Sequence, residues 1–410
     1  MRRWILICGW LSATASMAQE APAVEVYPFG SVDLLMTSSS GRGVEVNRLR
    51  RGDSPLSHLQ ANLFADIVVG DDLTIFNQIT IDPSSGATTS SFLRTWAQWR
   101  LMSNTHSDLH VQFGKIPTPF GHFTERAYSD KNPLLGQPLI YQYFSSLRSN
   151  QLPADNADLL SQRGSGSGGF AGYEGGGSES ARSGLPLVYD SCWDYGGGLI
   201  GSVWRFEYLL AVTQGTLSDP SSNAIDSNDG VQWAARLGFV PFTGGLIRFS
   251  WAKGPYLDRV VGPALADSDE VEDYEQRIVG VALEYEIRHL IVIAEVTRNR
   301  WESPFITDAA GRKQDLKVDG AYIEARYKLA PGLFAAGRWS ALRFGRIDDG
   351  SGRSHRVRWD RSADRLDLSV GYWITDGVLA KGGIQLNDLH AAAAYDESDH
   401  VVGLSLTVGF

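Results

Sequence analysis

Cysteine is almost missing from this chain, with two residues, Cys8 and Cys192, in 410. That excludes a disulfide framework and a cysteine-built metal site. Long apolar runs are missing too. Beyond the N-terminus nothing approaches the roughly 18 apolar residues of a spanning helix, so a helical membrane bundle is excluded. Positive charge is in deficit, 37 Lys and Arg against 47 Asp and Glu, which removes nucleic acid as a partner. The eight histidines are scattered, without an H-E-x-x-H pair. Sustained 3.6-residue periodicity is hard to find. Plentiful instead are glycine, at 44, and aromatics, at 12 Trp, 15 Tyr and 17 Phe, too many for a disordered chain.

Residues 1–18 read as a secretory signal peptide. Arg2 and Arg3 start it, the segment from Trp4 to Leu11 is its apolar core, and Ser16-Met17-Ala18 offers small residues where a signal peptidase cuts. Its removal makes the chain more acidic and leaves Cys192 unpaired, as a buried, inert thiol. An exported chain without a disulfide fits a bacterial envelope protein held together by its backbone ladder.

Alternation with period two dominates the mature chain. Trp204, Phe206, Tyr208, Leu210 and Val212 share one face; Arg205, Glu207, Ala211 and Thr213 share the other. Val279–Ile287 and Asp364–Tyr372 repeat the pattern. A soluble sandwich alternates as well, so connection lengths decide. Tight turns at Gly70-Asp71-Asp72, Gly201-Ser202, Thr243-Gly244-Gly245, Arg288-His289, Ala330-Pro331-Gly332 and Thr375-Asp376-Gly377 alternate with longer polar stretches at 38–56, 82–90, 117–186, 215–229, 257–273, 302–316, 345–360 and 389–398. Short turns on one side and long loops on the other mark an outer-membrane barrel. The expectation is an all-β, transmembrane antiparallel β-barrel of about 16 strands spanning 19–410, with fourteen or eighteen as alternatives. The 117–186 loop is long enough to enter the lumen. Its first part is rich in aromatics and proline, and its second, across 163–184, in glycine and serine.

Two segments resemble Gram-negative outer-membrane porins. The chain closes on an alternating strand ending in Phe410, similar to the assembly signal that the barrel-assembly machinery reads. Phe113-Gly114-Lys115-Ile116-Pro117-Thr118-Pro119-Phe120-Gly121 resembles the Gly-Lys-x-x-x-Pro-Phe-Gly segment of phosphate-selective-porin-like barrels. The resemblance implies a trimeric channel whose loop after the fifth strand bends inward. Phosphate specificity does not carry over, because the loop lacks a dense basic run.

Placing alternate residues inward gives a candidate pore lining. Arg94, Arg100, Arg205, Arg236 and Arg248 form a basic set, with Glu207 among them; Glu284, Glu286, Glu295, Glu324 and Asp367 form a more acidic set, mixed with Arg326, Arg338 and Arg365. If the two sets sit on opposite walls, a transverse field orients passing solutes; otherwise neighbours pair and keep the interior wet. Gly164-Ser-Gly166-Ser-Gly-Gly169 has dinucleotide-loop spacing but no surrounding β-α-β unit. The carboxylates from Asp267 to Asp273 form a solvated external loop, or bridge to lipopolysaccharide through divalent ions. No catalytic residue, metal or cofactor is expected. The function expected is passive diffusion of small hydrophilic solutes; a loop-plugged barrel without conductance is the alternative, and an enzyme in a barrel a more distant one. Partners are outer-membrane lipid and lipopolysaccharide, in the bacterial outer membrane.

Overall fold

The computed structural model describes residues 23–39, 59–82, 90–166, 172–178, 182–189, 193–221, 226–351, 355–390 and 397–410. The segment expected to be a signal peptide, Cys192 and part of the glycine-rich tract lie outside them.

Sixteen strands form the wall: β1 (Val24–Ser39), β2 (Leu59–Val69), β3 (Leu73–Asp82), β4 (Ser90–Asn104), β5 (Ser107–Pro117), β6 (Trp193–Val203), β7 (Phe206–Thr213), β8 (Gln232–Phe239), β9 (Gly245–Pro255), β10 (Glu275–Ile287), β11 (Leu290–Trp301), β12 (Leu316–Ala330), β13 (Leu333–Phe344), β14 (Ser362–Thr375), β15 (Val378–His390) and β16 (Glu397–Gly409). Each pairs antiparallel with its neighbours, and β16 returns to β1, so the sheet closes. Closure matters because an unpaired strand edge in lipid leaves N–H and C=O groups with no partner. At the seam, Gly30 and Phe410 exchange backbone hydrogen bonds of 2.9 and 3.0 Å. The terminal Phe410 thus belongs to the closure itself.

Short turns and long loops alternate around the barrel as the sequence suggests. One turn is displaced: the β6–β7 reversal falls at Trp204-Arg205, not Gly201-Ser202, with Trp204 at φ 56°. Gly201 lies inside the ladder, paired with Leu109 and Tyr208.

Register fixes which side chains face out. Along β10, Val279, Leu283 and Tyr285 are 50%, 49% and 42% exposed, while the intervening Ile278 and Ala282 are buried. Trp204, Phe206, Phe242, Tyr285, Tyr327 and Tyr372 gather toward the short-turn end, and Trp233, Trp251 and Trp339 sit closer to the loop end. Exposed apolar bulk on this scale has no stable place in water and matches a lipid-facing band between aromatic girdles. The alternation reads less cleanly on β1–β4. There Phe29, Phe64, Phe76 and Trp96 share the inward register with Asn62, Gln78 and Gln98, so not every aromatic stripe points at lipid.

Candidate functional site

The site is built where β5 ends. Gly114 adopts φ +118°, and a Cβ there would lie 2.6 Å from the Thr95 carbonyl oxygen, so only glycine fits. Lys115 is buried with its ammonium 5.1 Å from the centre of the Tyr195 ring. Pro119 is buried beyond it. The chain then crosses the lumen. Phe120 is fully buried against the inner face of Gly280 on β10, and Gly121 donates its N–H to the Ser250 hydroxyl on β9 at 3.0 Å. Gly121, at φ +66°, has no room for a side chain beside Tyr141 and Glu295. The Gly-Lys-x-x-x-Pro-Phe-Gly segment therefore steers the loop onto the far wall.

From there the loop runs along the interior of β8–β16. A one-turn helix, α1 (Leu139–Gln142), is buried throughout. Ile140 fits over Gly320, where a Cβ would come within 2.7 Å, and Leu135 sits over Gly383 and Gly403. Glycines on alternate inward positions are seats for loop side chains. Polar stitches complete the contact: Lys381 donates to the carbonyls of Ser129 and Asn132 at 2.6 and 2.9 Å, Ser369 to Pro133 at 2.6 Å, and Arg365 to Gln137 at 3.0 Å. At the loop end Asp360 accepts from the Ser146 and Gly164 N–H groups at 2.6 and 2.9 Å. Burial raises its pKa, and these N–H groups offset that rise only in part. A second short helix, α2 (Asn156–Ser161), is capped by the Asp155 carboxylate, and Asn156 donates to Thr307 and Asp348 carbonyls. The glycines at 164 and 166 thus serve loop packing.

The expected basic and acidic sets do not simply face one another. Arg236 and Arg248 on β8 and β9 adjoin Glu284 and Glu295 on β10 and β11, and the loop sews them together. Glu125 pairs with both Arg236 and Arg248, the latter at 3.0 Å, and Glu207 pairs with Arg248 at 2.6 Å. The next residue, Arg126, reaches Glu324 at 2.6 Å. Adjacent opposite charges on one 3-10 turn (Phe123–Arg126) thus complement both sets. Arg338, fully buried, bridges Glu324 at 3.2 Å and Asp367 at 3.1 Å, and donates to the Gly136 carbonyl at 2.6 Å. His122 approaches Glu284 at 2.8 Å, and Glu295 accepts from the Tyr141 hydroxyl at 2.8 Å. In the loop, partial desolvation raises the Glu125 carboxyl, but Arg236 and Arg248 outweigh it and hold the pKa at about 2.

Other expected residues fall elsewhere. Arg205 sits in the β6–β7 turn, its guanidinium 5.2 Å from the Trp204 ring centre and donating to the Pro241 carbonyl, because the displaced turn takes it off the strand face. Arg100 is exposed beside a register shift toward the short-turn end. Glu286 lines a recess at that same mouth with Arg326 and Lys328. Arg94 lies inward on β4, 5.3 Å over the Trp193 ring. In the external acidic loop, Asp269 is held by Tyr274 and by Lys313 at 2.9 Å, and no cluster able to hold a metal occurs among the described residues.

What remains open is the wall of β1–β5. Asn62, Gln78, Thr80 and Gln112 are buried on it, but Asp33, Gln60, Phe64, Asp66, Phe76, Arg94, Trp96, Gln98 and His110 keep some exposure, whereas the inward side chains of β8–β15 are buried almost throughout. Facing them from the loop are Glu125, Asp130 and Lys131, all exposed. The loop touches this wall chiefly through Tyr128, whose hydroxyl donates to Gln78 at 2.8 Å and whose ring meets Phe64 edge-on. Stacked rings, Phe29 on Phe64 at 4.7 Å and Phe76 on Trp96 at 4.6 Å, with Trp193 beyond at 4.9 Å, form a flat apolar lane in the open crescent. Sequence reading missed this lane. The neighbouring apolar residues on β2 and β3 (Leu63, Ile67, Ile75, Ile79) blur the period-two signal that would mark Phe64 and Phe76 as inward.

Comparison with solved structures agrees with this geometry. The fold is similar to the anion-selective porin from Comamonas acidovorans, with TM-score 0.55 and 11% identity over 95% of this chain and 100% of that one. It is similar to OmpF of Salmonella typhi in complex with daunomycin (0.52, 12%, 94% and 97%) and to the outer membrane channel DcaP of Acinetobacter baumannii (0.50, 11%, 98% and 100%). No family model and no curated protein matches the sequence. At such identities the likeness is one of fold: a porin-like, closed 16-strand barrel. Together with the lipid-facing band, it supports a location in the bacterial outer membrane.

Proposed function

We propose that this chain is an outer-membrane porin through which small hydrophilic solutes and ions diffuse passively, along the water-filled crescent between β1–β5 and the inward loop. One observation carries the reading: the loop covers the inner face of β8–β15 and leaves much of that of β1–β5 exposed. A plug would bury both halves. Barrels of this strand number are wide enough for an aqueous channel, and here the loop narrows it to one side.

The pore lining in this reading is a subset of the residues expected from sequence. Arg94 and Arg100 line the crescent, with Asp33, Asp66, His110, Glu125, Asp130 and Lys131 added. Arg236, Arg248, Glu295, Glu324, Arg338 and Asp367 serve as loop anchors, since paired and buried they expose little charge to passing ions. Glu284 anchors through His122, and Glu286 belongs to the mouth. The transverse field is replaced by a mixed-charge crescent, without a cofactor or a catalytic step.

Assembly follows the same analogy. The Vibrio cholerae OmpT structure of TM-score 0.50 is described as a trimer, and we read this chain as a homotrimer too, inserted through its Phe410 signal. Planar-bilayer recording tests the function: stepwise openings are expected, and a folded barrel that stays silent would establish the plug.

A further inference from the structure

We propose that the open crescent holds a binding site for aromatic organic cations, a planar ring bearing an ammonium, built from Asp66 and the rings of Tyr27, Phe64, Phe76 and Trp96. The site rests on the crescent being the water-filled passage and deepens that reading by naming a solute class. Two inward rows of the wall carry it. In one, Phe29 opposes Phe64; in the next toward the short turns, Tyr27 opposes Asp66, Asp66 opposes Phe76 and Phe76 opposes Trp96. Directly opposed residues on one face have Cβ atoms about 4.5–5.5 Å apart. Asp66 therefore stands between a ring on each neighbouring strand, with Phe64 about 7 Å away along its own strand. Phe29 and Phe64 stack at 4.7 Å and 5°, Phe76 and Trp96 at 4.6 Å and 15°. Opposed residues whose rings stack stand side by side on the wall, so each pair turns outer faces along it. Phe64 and Phe76 turn theirs toward one another, across the diagonal that holds Asp66. A ring face is the negative side of its quadrupole and attracts a cation, and a solute ring packs on the same surfaces.

The carboxylate completes the site. Asp66 keeps part of its surface exposed, and among the described residues its side chain makes no hydrogen bond or ion pair. Inward carboxylates on the covered half differ: Glu295 accepts from Tyr141, and Glu324 and Asp367 pair with Arg338. The cations nearest in the crescent are turned elsewhere. Arg94, two strands away and one row toward the long loops, lies 5.3 Å over the Trp193 ring, and Lys131 of the loop lies 5.6 Å over the Tyr128 ring. Glu25, one row nearer the short turns, accepts from the Tyr27 hydroxyl and adds a second negative charge. Exposed ring faces beside an unpaired carboxylate select a positive group joined to an apolar one. A neutral solute leaves the charge unmatched, and an anion is repelled.

Equilibrium dialysis of the purified, folded barrel in detergent, with empty micelles as the reference, tests the site with phenethylammonium, phenethyl alcohol, phenylacetate and propylammonium. The wild type is expected to bind phenethylammonium about tenfold more tightly than each of the other three, equivalent to about 1.4 kcal/mol. Asp66→Asn is expected to erase the preference over phenethyl alcohol, and Phe64→Leu combined with Phe76→Leu the preference over propylammonium. Asp33→Asn, closer to the long loops on the same wall, is expected to keep both. Heat-modifiable electrophoretic mobility verifies folding of each variant. Equal binding of the four compounds by the wild type, an unaltered preference in Asp66→Asn, or the same loss in Asp33→Asn overturns the proposal. Bilayer recording separates the site from the channel: the preference in a barrel that conducts nothing supports the site and removes the channel, whereas conductance without the preference removes the site alone.

Discussion

The two halves of the barrel wall obey the same strand rules and end in different states. Inward positions on β8–β15 are buried because a loop lies on them; many of those on β1–β5 keep some exposure because it does not. The difference originates in small residues. Gly280, Gly320 and Gly383 make seats on the covered half, and buried cations (Arg236, Arg338, Lys381) wait for loop carbonyls and carboxylates. The open half offers Phe64, Phe76 and Trp96 in the inward register, too bulky for a loop to lie flat against. A barrel interior can thus be half core and half channel.

The sharpest break in that comparison is at Arg338. Its replacement by Ala strands Asp367 without its ion-pair partner in a dry region and leaves Glu324 to Arg126 alone, and a loss of about 3–5 kcal/mol is expected in thermal or denaturant unfolding. The matching change on the open half, Arg94→Ala, is expected to stay within about 1 kcal/mol, since partly exposed charges contribute little. Equal losses would mean that the halves do not differ.

Next in size is Gly320→Val. The added side chain meets Ile140 and is expected to cost about 1–3 kcal/mol. It also lifts the loop from its seat, which shifts single-channel conductance; an unaltered step size would show that the loop does not set the channel. Glu125→Gln removes the carboxylate from Arg236 and one of the two carboxylates from Arg248, and is expected to shift permeability toward anions, read as a reversal potential in a salt gradient.

The smallest effect expected is a null result with pH. Glu125 has its pKa lowered to about 2, so its ionised form contributes stability above the ordinary carboxylate range. That contribution is lost progressively as pH falls from the ordinary value of 4.5 to about 2. Between pH 7 and 4 the loop anchor is expected to persist, with no step change in conductance; a transition near pH 4.5 would assign Glu125 an ordinary carboxylate environment.

Much of this architecture was legible from residues alone. The alternation in Val279–Ile287 and the regular exchange of short turns for long loops carry the barrel, its strand number and the inward loop, because membrane strands must alternate and must close. The displaced turn at Trp204-Arg205 was not legible: a non-glycine residue at positive φ has no sequence mark, and the preceding Gly-Ser pair mimics one. Partner choice inside the lumen was equally hidden. Arg236 and Glu324 could be placed inward by counting, but Glu125 and Arg126 reach them from about a hundred residues or more away in sequence, which periodicity does not encode. The inward rings of β1–β4 were masked by flanking aliphatics on the lipid side.

The central claim is that water and ions pass along one half of the wall. Cysteine substitution in a Cys192→Ser background tests it directly, with a charged thiol reagent applied during bilayer recording. Modification of Gln98→Cys on the open half is expected to block current, while Ser340→Cys, buried beneath the loop, is expected to leave it unchanged. Block at Ser340→Cys with none at Gln98→Cys would contradict the account.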